Sequence, residues 1–173
     1  MRKAMLGLVG IVVAVLVAAD SKPGSAIYVT GGDVQATLKR APEGSVSDQQ
    51  IRVIDVGKVN VAVGAVYRSA KAPQLAVEHD QTTEIYHIME GSGTLVTGGT
   101  IVNPERRGPE HPSIKLNGPS VNGTALENGE SHRVGPGDVV VIPAGVGHWF
   151  SGIDGSIRYL VVRVDANKVL AAK

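Results

Sequence analysis

Short runs of β-branched and other apolar residues, interrupted by glycine, proline and polar residues, follow one another along most of the chain and predict strands. The runs at 51–56 and 59–68 flank Gly57-Lys58, and apolar residues alternate with small or polar ones in the second run, which predicts a β-hairpin. Further strands are predicted at 28–30, 75–79, 84–90, 94–97, 100–102, 124–126, 132–134, 138–142, 148–150 and 157–164. About ten short strands with little helix predict an all-β sandwich or barrel whose core covers about residues 51–164.

Two short segments near the ends of the chain are predicted to be helical. Asp33 is expected to cap a helix over 34–39, which the Pro- and Gly-containing sequence at 41–44 ends. The polar tail at 165–173 is expected to form a second short helix. The barrel is therefore predicted to carry a short N-terminal helix.

The segment 103–121 is rich in proline, glycine and charge and has no apolar period, which predicts a long loop. Its Arg106, Arg107 and His111 could contact an anionic substrate at the mouth of a barrel, because guanidinium groups bind carboxylate and phosphate well. The alternative is a solvated insertion without a role in binding, which is the commoner character of long polar loops.

The first residues have the pattern of an export signal. Met1-Arg2-Lys3 precedes sixteen uncharged, mostly apolar residues, and Val17-Ala18-Ala19 offers small residues for cleavage before Asp20. An uncleaved membrane anchor is the alternative, although this apolar stretch is shorter than the ~20 residues that cross a bilayer core. We therefore predict a signal peptide at 1–19, a single domain at 20–173, and a periplasmic or secreted protein.

Composition narrows the possible partners. A chain of 173 residues with 43% hydrophobic content is long enough for one domain with a full core. Its formal net charge of +1 includes Arg2 and Lys3, so the expected mature chain is close to neutral, which argues against a nucleic-acid partner. Membrane contact is expected only through the export signal. The chain has no cysteine, which excludes disulfides.

Candidate chemistry is concentrated between His79 and Gly91. His79 and Glu84 are separated by an odd number of positions, so one flat strand would send their side chains to opposite faces. The polar residues 80–83 are expected to bend the chain between two strands of a hairpin, so that both side chains enter one cavity. On the second strand Tyr86 shares the face of Glu84 whereas His87 faces away, and residues 90–93 are expected to turn.

These residues resemble the motifs of the cupins. At the spacing of the first cupin motif, G-(x)5-H-x-H-(x)3,4-E-(x)6-G, the chain carries His79, Glu84 and Gly91, and Val77 stands in the place of the first histidine. The second motif, G-(x)5-P-x-G-(x)2-H-(x)3-N, is matched by Gly137, Pro143, Gly145 and His148, with Gly152 in the place of asparagine. The resemblance implies the cupin double-stranded β-helix, a jelly-roll barrel.

The resemblance also implies a metal site formed by His79, Glu84 and His148. Two imidazoles and a carboxylate suit Fe(II), Mn, Zn or Ni, which this donor set does not distinguish. The alternative is a pair of structural histidines in a cupin that has lost its metal. Glu84 favours a metal, because a carboxylate in an apolar barrel is costly without a cation or a firm partner.

Two functions are open, since cupins include dioxygenases, isomerases, lyases and sensors. The first is an exported metal-dependent enzyme, an oxygenase, isomerase or lyase acting on a small molecule, with Tyr86 as proton donor or base. Tyr86 could instead be a fourth ligand or a core ring. The second is a non-catalytic protein that binds or senses a small ligand with or without metal. A homodimer is expected by analogy with other cupins.

Overall fold

The computed structural model describes residues 24–172. The predicted export segment 1–19 lies outside the described residues, as does residue 173. Two helices, α1 (Gly31–Lys39) and α2 (Ile114–Asn117), accompany the strands. In chain order the strands are β1 (Val46–Asp55), β2 (Asn60–Ser69), β3 (Ala76–His79), β4 (Thr82–Thr97), β5 (Thr100–Val102), β6 (Glu105–Arg106), β7 (Ser120–Gly123), β8 (Ala125–Glu127), β9 (Glu130–Val134), β10 (Val139–Ile142) and β11 (His148–Asp165).

A nine-stranded antiparallel sheet forms most of the fold. Its strands run in the order β1-β2-β11-β3-β7-β6, and β4 pairs with β9, β10 and β11. The remaining strands, β5 and β8, pair with each other. The predicted all-β, cupin-type jelly roll is confirmed, as are its short N-terminal helix and the β1-β2 hairpin. Within residues 24–172 no helix is long and apolar enough to cross a membrane.

Strands β4 and β11 are the longest, with 16 and 18 residues, and they pair along most of their length. Buried residues alternate with more exposed ones along both strands, as expected where one face of a sheet covers a core. Glu84 and Tyr86 face the interior and His87 faces out, as the parity of the strand predicts. The largest core cluster consists of Val66, Tyr86, Ile88, Leu95, Val134, Ile142, Phe150, Ile157, Tyr159 and Val161.

The prediction of a hairpin between 75–79 and 84–90 is wrong. Strand β3 pairs with β7 and, at Val77, with the first residue of β11, whereas β4 pairs with other strands. The bend at 80–81 therefore carries the chain from one part of the sheet to another. It still turns His79 and Glu84 to the same interior, as predicted.

The predicted turn at 90–93 is instead an irregular stretch within β4. Gly91 has a φ of 75°, and the register between β4 and β11 shifts between the Gly93–Ile153 and Gly91–Ile157 pairs. Residues 151–156, which separate the predicted strands at 148–150 and 157–164, likewise belong to the continuous β11. Glycine permits this left-handed conformation, so both strands bend here without ending.

Smaller predictions near the ends and in the loop also need correction. Thr30, and not Asp33, is the N-cap of α1, and Asp33 accepts a hydrogen bond from the Thr30 N–H to complete a capping box. Residues 28–30 form no strand, and the described part of the tail forms no helix. The predicted loop at 103–121 contains β6, α2 and the start of β7.

Candidate metal centre

Three different strands place the predicted metal ligands inside the barrel. His79 ends β3, Glu84 lies near the start of β4, and His148 begins β11. Their exposed fractions are only 4%, 2% and 5%. Candidate ligand atoms of the three side chains lie within 4.8 Å of one another. The structure thus brings together the residues that the motif spacing had singled out.

The turn at 143–147 holds the two histidines next to each other. Gly145 has a φ of 76°, which a residue with a side chain rarely adopts, and its N–H donates to the backbone oxygen of His79 at 2.8 Å. The turn leads directly into His148, whose backbone pairs with Val77 on β3. The two imidazole ring centroids consequently lie 5.2 Å apart.

Glu84 is surrounded by hydrogen-bond donors. Arg163 Nε donates to Glu84 Oε1 at 2.9 Å, and the Tyr86 hydroxyl donates to Oε2 at 2.7 Å. Burial raises the pKa of Glu84, but the neighbouring charges of His79 and Arg163 and its hydrogen bonds hold that pKa well below its ordinary value. Arg163 also donates to Asp48 Oδ2 at 2.5 Å, so one guanidinium joins two carboxylates. Glu84 is therefore ionised at neutral pH.

Both histidines direct Nε2 at the same carboxylate oxygen. His79 Nε2 lies 3.6 Å and His148 Nε2 lies 3.3 Å from Glu84 Oε2. Burial lowers the pKa of His79, although the negative charge of Glu84 acts in the opposite direction. His148 Nδ1 lies 3.2 Å from the backbone oxygen of Val146, which can only accept, so the proton of a neutral ring belongs on Nδ1. The lone pair of His148 Nε2 then faces an anionic oxygen.

A metal ion fits this arrangement. The lone pair of a neutral His148 Nε2 and the anionic oxygen of Glu84 repel each other unless a cation lies between them. Two ligand atoms bound at ~2.1 Å to one metal lie about 3.0–3.4 Å apart in octahedral or tetrahedral geometry. The distances to Glu84 Oε2 are close to this range, at 3.6 Å from His79 Nε2 and 3.3 Å from His148 Nε2. The hydrogen bond from His148 Nδ1 to a backbone oxygen is a common support of a metal-ligating histidine. The donor set suits Fe(II), Mn, Zn or Ni.

The three side chains line a cavity of about 340 Å³. This volume lies at the lower end of the ~300–1,000 Å³ typical of small-molecule sites. Arg107 and His111 also line the cavity. Their position fits the first interpretation of the polar segment, in which its residues can contact a substrate at the mouth of the barrel. Arg106 does not, because its guanidinium pairs with Asp80 at 2.6 Å on the exposed surface.

Tyr86 lies directly beside the candidate ligands. Burial and the negative charge of Glu84 raise the pKa of Tyr86 well above its ordinary value, so its hydroxyl keeps its proton at neutral pH. This proton points at Glu84 Oε2. The Tyr86 ring lies 6.1 Å from the His148 ring and 4.4 Å from the Tyr159 ring, measured between centroids. Its predicted catalytic role stays a prediction.

Two further histidines lie away from the site. His87 and His132 are exposed, and His87 faces away from Glu84 as predicted. Gln81 lies in the bend before β4 and does not line the cavity. Phe150 is buried in the main core cluster, on the face of β11 that carries His148, whereas Trp149 packs against a separate cluster.

Sequence reasoning missed a second layer of polar residues around the site. Arg163 is the direct cross-strand neighbour of Glu84, and Arg68 donates from Nε to the Tyr159 hydroxyl at 2.8 Å. The sequence contains one indication that Arg163 is buried. It follows Tyr159 and Val161 at intervals of two residues and therefore lies on the same inward face of the strand. An arginine at an inward position needs a buried partner. Sequence alone does not identify that partner, since it lies on another strand.

Comparisons with known proteins agree with the motifs. The family model described as Cupin matches residues 75–171. The EutQ protein of Clostridium difficile is a similar solved structure, with 13% identity, 70% of this chain and 69% of that chain covered, and a TM-score of 0.42.

Two further solved structures cover more of this chain. An oxalate oxidase shows 17% identity over 76% of this chain and 58% of its own, with a TM-score of 0.46. The DMSP lyase DddQ from Ruegeria pomeroyi DSS-3 shows 19% identity over 80% and 56%, with a TM-score of 0.45. The chain thus spans little more than half the length of these two proteins. A comparison with curated protein sequences finds no match.

Proposed function

The chain belongs to the cupin family, and from this membership we propose that it is an exported, metal-dependent enzyme that acts on a small molecule in its cavity. In this proposal His79, Glu84 and His148 hold one divalent ion of Fe, Mn, Zn or Ni. The reaction is that of an oxygenase, an isomerase or a lyase. The mature protein is periplasmic or secreted, and its partner is the small-molecule substrate.

One observation carries the proposal. Two histidine Nε2 atoms converge on one oxygen of the buried, ionised Glu84 where these residues line a cavity. A structural pair of histidines has no need of this arrangement, because each imidazole could donate to a neutral acceptor elsewhere. Convergence on an anion beside an open space is the arrangement that a metal and its substrate require.

When bound, the metal supplies a Lewis acid for a carbonyl or carboxylate oxygen, or a site for oxygen chemistry. The protein supplies the rest. Arg163 fixes the orientation of Glu84 through Oε1, which leaves Oε2 directed at the two histidines. Tyr86 holds a proton at its hydroxyl, where it can be donated to a reacting group in the cavity. Leu75 and Val77 give the cavity wall apolar surface that limits the water around the reacting atoms.

The alternative is a non-catalytic cupin that binds or senses a small ligand. The observation that favours it is the contact between Arg163 and Glu84 at 2.9 Å, since this ion pair gives the carboxylate a firm partner without any metal. The cost of burying this carboxylate, which favoured a metal in the sequence analysis, is therefore partly offset by the protein itself.

Elemental analysis of the purified protein separates the two functions. We expect near-stoichiometric metal in the parent and loss of metal in both His79→Ala and His148→Ala, because each variant leaves only two ligands. His87→Ala is the matched control, since His87 lies on β4 near Glu84 but is exposed on the outer face. Circular dichroism must show that each variant folds.

Two outcomes would contradict the enzyme proposal. A parent that stays free of metal after separate loading with Fe(II), Mn, Ni and Zn favours the binding protein. Metal that persists in His79→Ala and His148→Ala places the ion elsewhere. Mass spectrometry of the exported chain tests localisation separately, with cleavage after Ala19 expected. The homodimer remains a prediction.

A further inference from the structure

The cavity contains more positive charge than its own carboxylates neutralise. Three arginines, Arg68, Arg107 and Arg163, line it together with two carboxylates, Asp48 and Glu84. Both carboxylates pair with Arg163, at 2.5 and 2.9 Å. Among the described residues no carboxylate lies within 4.0 Å of the guanidinium of either other arginine. Two cations therefore face the cavity with neutral partners.

Arg68 is held in place by groups that do not cancel its charge. Its Nε donates to the Tyr159 hydroxyl at 2.8 Å and its Nη1 donates to Gln74 Oε1 at 3.2 Å. The guanidinium carbon lies 5.5 Å from the centre of the Phe150 ring. These contacts fix a planar guanidinium in a partly buried position, and they leave Nη2 without an acceptor in the part of the chain that the structure describes.

Arg107 occupies the polar segment that covers the cavity. Its backbone N–H donates to the Ser120 oxygen at 3.0 Å, and its Nε donates to Asn122 Oδ1 at 3.2 Å. Both terminal nitrogens of the guanidinium have no acceptor among the described residues. Partial burial and the nearby charge of Arg68 lower the pKa of Arg107. An anion between the two arginines would relieve their repulsion.

We propose that the cavity binds a small organic carboxylate, whose carboxylate group lies between Arg68 and Arg107 while the rest of the molecule extends towards His79, Glu84 and His148. The planar fork of an arginine matches the two oxygens of a carboxylate. At ~30 Å³ for each water-sized group, the cavity of about 340 Å³ holds about ten non-hydrogen atoms. This inference rests on the proposed function only for the role of the three candidate ligands.

A carboxylate is favoured over a phosphate by the character of the cavity wall. Pro73, Leu75, Val77 and Leu116 contribute apolar surface beside the arginines. A carboxylate carries one charge at one end of a carbon skeleton, which suits such a mixed surface. The helix that lines the cavity, α2, has only four residues and offers no extended row of N–H groups for a phosphate.

Calorimetric titration of the protein with propionate and succinate, and with propionamide and succinamide, tests the inference. The amides have nearly the same shape without the charge. Titrations use metal-free and metal-loaded protein, because a bound metal can also attract a carboxylate. We expect each carboxylate to bind metal-free protein at least about tenfold more tightly than its amide, as for a charged hydrogen bond worth ~1.5–3 kcal/mol.

Arg107→Gln is the decisive variant, and Arg106→Gln is its matched control. Arg106 is adjacent in sequence and carries the same charge, but its exposed guanidinium pairs with Asp80 outside the cavity. We expect Arg107→Gln to weaken succinate binding about ten- to a hundredfold, and Arg106→Gln to leave it unchanged. Arg68→Lys, which keeps the charge but loses the planar fork, should weaken binding by a smaller factor.

Equal affinity for acids and amides in metal-free protein would overturn the carboxylate site. Equal losses in Arg106→Gln and Arg107→Gln would do the same, as would inorganic phosphate binding more tightly than succinate. These outcomes are distinct from failure of the proposed function. A protein that binds succinate but holds no metal keeps the carboxylate site and loses the enzyme, whereas one that holds metal but does not discriminate acids from amides does the reverse.

Discussion

At the scale of single residues, Arg163 is the main stabilising partner of the candidate site. It is 1% exposed and connects Glu84 with Asp48. Removal of one member of a buried ion pair leaves the other charge without compensation, which costs about 3–5 kcal/mol. Exposed pairs on the same sheet contribute much less, about 1 kcal/mol or below. The burial of an ion pair therefore determines how much the loss of one partner lowers the stability of this protein.

We predict that Arg163→Met lowers the free energy of unfolding by about 3–5 kcal/mol, because two carboxylates lose their cation. Arg158→Met is the control, since Arg158 lies on the same strand and pairs across the same two strands with the exposed Glu90 at 3.1 Å. Its expected cost is about 1 kcal/mol. Urea denaturation followed by circular dichroism measures both, and equal losses would show that Arg163 is not a buried ionic centre.

Val77 marks the residue-level departure from the first cupin motif. It is 9% exposed, lines the cavity beside His79 and pairs with His148 across the sheet. We predict that Val77→His adds a fourth ligand and tightens metal binding by at least ~10-fold. Residues that only hydrogen-bond to a ligand already contribute ~10–100-fold to metal affinity. Competition with a chelator measures the affinity. Unchanged affinity in a folded variant would mean that this position does not face the metal.

The sequence is informative about these residues to different degrees. Fixed spacing within one motif singles out His79 and Glu84, and a turn of glycine and proline singles out His148, because each signal is local. Arg163 lies seventy-nine positions from Glu84 and meets it only through strand register. Register depends on the whole sheet, so this partner could not be inferred from neighbouring residues.

At the scale of elements, a bend within a strand replaces the turn that the glycine-rich sequence at 90–93 predicted. Gly91 and its neighbours have the composition of a turn, yet β4 continues through them to Thr97. A β-carbon on Gly91 would overlap the backbone oxygen of Ser156 on the adjacent β11. Local composition cannot distinguish a turn from a bend inside a strand, because both need left-handed backbone and little side-chain volume.

Gly91→Ala is expected to destabilise the protein by about 2–5 kcal/mol, from ~1–2 kcal/mol of left-handed strain and ~1–3 kcal/mol of overpacking. Gly152→Ala is the control on the facing strand, where a β-carbon meets no atom within 4 Å and φ is not positive. Its cost should stay within ~0.5 kcal/mol. Thermal and urea unfolding compare the two variants, and similar midpoints would show that β4 tolerates a side chain at this bend.

At the scale of the whole molecule, the abundance of short strands was enough to predict the barrel, but not how the C-terminal tail packs against it. The tail was expected to be helical, yet it forms a turn at 166–167 and then an irregular segment. Asp165 accepts from the N–H groups of Val169 and Leu170, and Asn60 donates to the Leu170 oxygen at 2.7 Å. Leu170 is only 1% exposed. Burial of one leucine against Val53 and Ala62 outweighs the weak helical preference of a few polar residues.

The ion pair between Arg163 and Glu84 also bears on the order of assembly. Small metal-dependent domains that lack such an internal cation remain unfolded until the metal arrives. In this barrel the counter-ion of Glu84 is part of the chain and lies on β11, so we expect the native state to form without metal. In the proposed enzyme, folding and metal acquisition would then be separate events in time, and the supply of metal around the folded protein would decide which ion is bound.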